Sequence, residues 1–148
     1  MGINGKLEVP LVGCKGIRNT EFLAKMDPFV IIQYGNQEHR SSVTKGEGRN
    51  PVWNENFTFN VDYPGDAVHK YKLIFHIMDK HTHSPDDLDG QTTIYLKDVI
   101  SLGVEKGEMK LEPRKYRVVL PNQKYAGEIT VGITFTLNDS ISKARSSL

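Results

Sequence analysis

The sequence predicts an all-β protein: an eight-stranded antiparallel β-sandwich with one short helical turn. Three observations carry this. Apolar and polar residues alternate with period 2 along nearly the whole chain, which is the pattern of half-buried strands and not of helices. Turn residues such as Gly35-Asn36 and Pro121-Asn122 separate the alternating runs. The only window that reads as helical lies near Lys97 to Leu102. Strands in that number, each with one apolar face, bury those faces best when two sheets pack together.

Taken in order, Leu7, Val9 and Leu11 share one face of a first strand. Val30, Ile32 and Tyr34 do the same in a second, with Phe29, Ile31 and Gln33 opposite. The Gly35-Asn36 pair tolerates positive φ and turns the chain into a short third strand from Gln37 to Val43. Phe57, Phe59 and Val61 mark a fourth strand, and Leu73, Phe75 and Ile77 a fifth. Both read as central. Thr92, Ile94 and Leu96 make the sixth, and Tyr116, Val118 and Leu120 the seventh. In the eighth, Ile129, Val131, Ile133, Phe135 and Leu137 alternate with Thr130, Gly132, Thr134 and Thr136. The domain is expected to span 1–137, with 138–148 a flexible tail that has no apolar periodicity.

Composition narrows the function. The chain has 148 residues, 38% of them hydrophobic and 25% charged, with 19 Lys+Arg against 18 Asp+Glu. One domain of that size buries a core without staples, and a net charge of +1 is unlike that of a strongly basic nucleic-acid binder. A single cysteine, Cys14, suits a reducing compartment and reads as a small buried hydrophobe. There is no apolar run of the roughly 18 residues a membrane span needs, and Met1 to Lys6 lack a signal-peptide core. These features predict a cytoplasmic protein that touches membranes, if at all, from outside. No spacing suggests a Ser-His-Asp triad or a P-loop, so no enzyme is expected.

Charge is distributed unevenly. Glu21 and Asp27 fall in the loop after the first strand, and Asp79, Asp86, Asp87 and Asp89 in the loop after the fifth. Lys25 and Lys80 are the nearest cations. Oxygen ligands in excess of local positive charge suit Ca²⁺, which takes roughly 6 to 8 of them. Solvated loop charges would explain any one aspartate, but clusters converging at one end of a sandwich would repel one another. The pair His81-x-His83 also matches zinc or copper spacing, although so short a motif often matches by chance.

Four motifs occur in order: Leu7-Glu8-Val9 through Gly16; Met26-Asp27-Pro28-Phe29-Val30; Asn50-Pro51-Val52-Trp53-Asn54-Glu55-Asn56-Phe57; and Met78-Asp79 through Asp87-Leu88-Asp89-Gly90. Together they resemble the C2 domain family, and within it the small plant single-domain proteins of the elicitor-responsive and phloem types. The resemblance implies a C2-type Greek-key sandwich whose loops at one end bind calcium and then dock on phospholipid, in plant defence or stress signalling. Carried over position by position, it implies metal ligation by Glu21, Asp27, Asp79, Asp87 and the backbone carbonyl of Lys80. The same carry-over includes His81 in the metal set, standing where the family has a further aspartate. Imidazole nitrogen is a poor ligand for a hard cation, so one weakly held Ca²⁺ is expected.

Phe22 and Leu23 at the tip of the first loop, beside Lys25, are the expected lipid contacts. Full burial of each apolar side chain contributes roughly 1.5 to 3 kcal/mol and a surface lysine about 1 kcal/mol on anionic lipid. The expected partner is thus an anionic phospholipid surface, reached as a monomer by peripheral plasma-membrane association when calcium rises. Two alternatives stand beside this. One is RNA binding or trafficking through Lys110, Arg114, Lys115 and Arg117, for which Tyr116 is the sole stacking residue expected nearby. The other is a calcium-independent protein-interaction adaptor. Ile31, Gln33, His39 and Ser41, with Arg40 and Lys45 nearby, are expected on one outer face as a poor cationic groove.

Overall fold

The computed structural model describes residues 2–17, 27–45, 48–64 and 71–138. The chain runs through β1 (Ile3–Lys15), β2 (Pro28–Tyr34), β3 (Gln37–Arg40), β4 (Val52–Tyr63), β5 (Lys72–Asp79), β6 (Asp87–Tyr95), α1 (Lys97–Lys106), β7 (Glu108–Val119) and β8 (Tyr125–Leu137). Neighbours follow the order β3-β2-β5-β6-β7-β8-β1-β4, all antiparallel. The order folds into two four-stranded halves around a single core. β1 and β8 supply Leu7, Leu11, Ile133 and Phe135 to it, while β2 and β5 supply Val30, Ile32, Phe75 and Ile77, all fully buried.

The halves meet along two unlike seams. Between β6 and β7 the ladder has one register pair, Gln91 with Val119. Between β3 and β4 side chains take the place of a ladder. Gln37 Nε2 donates to the Asn60 carbonyl, and the Asn60 N–H donates to Gln37 Oε1, both at 2.8 Å. His39 Nε2 donates to the Thr58 carbonyl at 2.9 Å. These bonds cover strand edges that would otherwise offer open pairing sites, and they bring the sandwich close to a barrel.

Several expectations change here. β4, expected to be central, is the last strand in the order and pairs with β1 alone. The third strand ends at Arg40, because Ser41 turns its side chain to the backbone and accepts the Val30 N–H on Oγ at 2.8 Å. His39 does not share the outer face with Ile31 and Gln33. The two-residue turn sets Tyr34 opposite Gln37, which puts His39 opposite Ile32, with its ring centroid 4.9 Å from that of Phe59. Ser41 is buried rather than facing outward.

The expected helical turn is a ten-residue helix. Val99, Ile100, Gly103 and Val104 form its buried stripe, while Asp98 in the first turn and Lys106 in the last complement the helix dipole. Gly107 ends it in the left-handed region at φ 94°, where a side chain would be strained. β7 begins at Glu108, well before Tyr116. Asn138, expected to open the tail, donates its N–H to the Asn4 carbonyl at 3.1 Å, and 139–148 lie outside the described residues.

Candidate functional site

Strand directions put the ends of β1, β3, β5 and β7 and the starts of β2, β4, β6 and β8 at one end of the sandwich. Asp79 is the last inward-facing position of β5, continuing the alternation Leu73, Phe75, Ile77, and is 1% exposed. Register sets it opposite Pro28 on β2 and Asp87 on β6. Asp27, Asp79 and Asp87 therefore lie at adjoining strand ends. A reciprocal clasp holds the base of the two loops together: the Asp27 N–H donates to Asp79 Oδ1 at 2.9 Å, and the Lys80 N–H donates to the Asp27 carbonyl at 3.0 Å.

The loop after β5 satisfies its own charges. Asp86 Oδ1 accepts the His81 backbone N–H at 3.0 Å, and Asp86 Oδ2 lies 3.4 Å from Lys80 Nζ. The backbone hydrogen bond from His81, assisted by the Lys80 ammonium, holds the Asp86 carboxyl below the usual carboxylate range. The His81 ring donates from Nε2 to Asp87 Oδ2 at 2.8 Å. Carboxylates that the sequence presents as an unneutralised cluster are thus partly offset by Lys80. Asp89 belongs elsewhere: it occupies the bulge where Leu88 pairs with Met78 and Gly90 with Ile77, and it is buried at 3% exposure.

Of the expected ligands, Asp27, Asp79, Lys80, His81 and Asp87 lie together at this end. Glu21, Phe22, Leu23 and Lys25 lie outside the described residues. Among the described residues there is no group of three or more His, Cys, Asp and Glu side chains close enough to form a metal cluster. The donor chemistry of Asp27, Asp79 and Asp87 is that of a hard cation. Asp79 Oδ1 and Asp87 Oδ2 each already accept a protein hydrogen bond, so an ion would compete for them. The His81 ring turns to Asp87.

The Asn-Pro-x-Trp-x-Glu segment proves to be the brace behind these loops, a role not assigned to it from sequence. Asn50 Oδ1 accepts the Gly16 N–H and the Pro51 carbonyl accepts the Cys14 N–H, both at 2.9 Å. Arg49 Nε donates to the Ile17 carbonyl at 2.8 Å. Trp53 Nε1 donates to the Ser42 carbonyl at 2.8 Å, and Glu55 Oε1 accepts the Ser42 N–H at 2.9 Å. The segment thereby ties the start of β4 to the end of β1 and to the strand that leaves β3. On β7, Lys110 lies 3.4 Å from Glu112 and Lys115 lies 3.9 Å from Glu128, which partly neutralises the basic patch.

This sandwich, with acidic loops at one end and a braced β4, is that of a C2 domain, and the family's sequence profile matches residues 5–111. The chain belongs to the C2 domain family. It is 45% identical to elicitor-responsive protein 1 of Oryza sativa subsp. japonica over 92% of this chain and 87% of that one. It is 42% identical to 16 kDa phloem protein 1 of Arabidopsis thaliana, over 90% and 85%. The solved structure of a C2 domain-containing protein attributed to an elicitor-responsive gene superposes with a TM-score of 0.68 at 35% identity, covering 93% of this chain and 90% of that one. Neither the family nor these relatives' names point to a catalytic activity. Among the described residues no helix is long and apolar enough to cross a membrane.

Proposed function

We propose that this protein is a calcium-responsive peripheral phospholipid-binding module of plant defence or stress signalling, cytoplasmic at rest and recruited to the plasma membrane when calcium rises. The observation that carries this reading is the placement of Asp27, Asp79 and Asp87 at adjoining strand ends, with Asp79 buried and clasped to the Asp27 backbone. Membership of the C2 family and similarity to elicitor-responsive proteins support it. Asp27, Asp79 and Asp87, with Glu21 and the Lys80 carbonyl, would hold one Ca²⁺. When bound there, the ion supplies positive charge and open coordination positions suited to lipid phosphate oxygens.

The chain's own residues set the strength of the response. His81 occupies Asp87 Oδ2, and its release opposes ion binding, so affinity is weak. Lys80 partly cancels the loop charge in the absence of an ion, which lowers the repulsion of an anionic surface. Phe22 and Leu23 supply the apolar contact and Lys25 the attraction to anionic headgroups. Co-sedimentation with phosphatidylserine vesicles tests this, with and without millimolar calcium, for the wild type and for Asp27→Asn combined with Asp79→Asn. The wild type should pellet with calcium and the double variant should not. Equal pelleting in all four conditions would remove calcium from the mechanism.

A further inference from the structure

Away from the clasped aspartates, a groove of about 580 Å³ follows the seam where β6 and β7 part. That is within the range of real binding clefts, roughly 300 to 1,000 Å³. It runs from Leu88 and the β7–β8 turn at Pro121 along β6 to Tyr95, seven strand steps or about 23 Å. Its rim exposes two large aromatics that the fold does not need, Tyr95 at 71% and Tyr125 at 64%. Each carries a cation: the Arg117 guanidinium lies 5.2 Å from the Tyr125 ring centroid, and the Lys72 ammonium lies 5.8 Å from that of Tyr95. Among the described residues, Arg117 is the only charged one lining the groove, and no carboxylate lines it.

We propose that this groove is a docking site for a proline-rich, acidic-flanked segment of a partner protein, bound in the polyproline II conformation. Its length selects an extended chain, since about seven residues at roughly 3.1 Å each would fill it. Strand addition is disfavoured, because the facing edges of β6 and β7 are already bridged by the Gln91–Val119 pair and by Thr92 Oγ1 donating to the Arg117 carbonyl at 2.9 Å. A polyproline segment needs no ladder. Its rings pack on aromatic faces, and its solvated carbonyls need donors, which here are the amides of Gln91 and Gln123 and the tyrosine hydroxyls. The positive charge at both rims complements acidic flanks. A nucleic-acid strand of that length carries a phosphate on every residue and needs a continuous cationic track, whereas here a cation stands at each end.

The test is fluorescence anisotropy of a labelled peptide with a Pro-x-x-Pro core between Asp/Glu flanks, titrated with the whole chain. Saturable binding is expected, about tenfold weaker when the prolines become alanine or the flanks become lysine. Tyr95→Ala and Tyr125→Ala should each weaken it about tenfold, and Arg117→Gln combined with Lys72→Gln should erase the preference between acidic and basic flanks. Amide shifts of the wild type on peptide addition should centre on Gln91, Thr93 and Gln123, which keeps the test decisive if a variant unfolds. Absent saturation, indifference to proline, shifts centred elsewhere, or tyrosine-dependent binding of oligouridine in place of the peptide would overturn the proposal. Vesicle binding by Tyr95→Ala, at the end of the sandwich away from the acidic loops, should be unchanged, so this site and the acidic loops stand or fall separately.

Discussion

His81 is the residue on which the loop chemistry turns. Its backbone N–H and its ring serve two different carboxylates, Asp86 and Asp87, so one residue closes the loop that a second acidic residue would otherwise hold open. A carboxylate in its place adds a hard ligand and removes the donor that occupies Asp87. His81→Asp is therefore expected to raise calcium affinity about tenfold, or about 1.4 kcal/mol, in a calorimetric titration of metal-free protein. In the absence of calcium the same substitution should lower thermal stability, because like charges then crowd one loop. No gain in affinity would show that these loops are not where calcium binds. Asp79 was legible in the sequence as a candidate ligand, placed in the loop after the fifth strand rather than at that strand's last inward step, but the His81 pairings were not. They depend on side-chain geometry across a loop, which period and spacing do not encode.

At the scale of elements, the seam between β6 and β7 is set by Gly90. A methyl group built on it falls 2.4 Å from Val118 Cγ1 and 3.3 Å from the Val119 carbonyl, and only glycine lets the strands come this close. Gly90→Ala should cost about 1 to 3 kcal/mol, read as a lower urea midpoint with unchanged slope. In a Val118→Ala background, which removes Cγ1, the same change should cost clearly less. Equal costs in both backgrounds would locate the strain elsewhere. The resemblance marked Gly90 as a motif position, and the packing supplies its physical reason. β1 and β8 were readable because one face of each is apolar and the other largely polar, and β2 and β5 because apolar residues run along both faces of a short segment. The first half of β7 was not, since Lys110, Glu112, Arg114 and Lys115 are all exposed there and Met109 and Leu111 only partly buried. The edge position of β4 was equally hidden, because pairing order is a long-range property and Phe59 and Val61 would look the same in a central strand.

The whole molecule has a stability signature of its own in Cys14. The residue sits on β1 where that strand pairs with β8, and its N–H is held by Pro51 next to β4. Its 3% exposure therefore reflects the closed sandwich rather than any one loop. Burial pushes the thiol from 9.0 up to about 12. Between those values the unfolded chain gives up the thiol proton and the folded chain keeps it, so the folded state binds more protons and stability falls as pH rises. The contribution is fully present below pH about 9 and declines by up to about 1.4 kcal/mol per pH unit above it. Burial shifts Tyr34 in the same direction, so the thiol must be isolated by difference. Urea unfolding under reducing conditions at pH about 8 and about 10.5 should show the wild type losing about 2 kcal/mol more than Cys14→Ala. Equal losses in the two proteins would mean that solvent reaches Cys14 without the two halves of the sandwich separating.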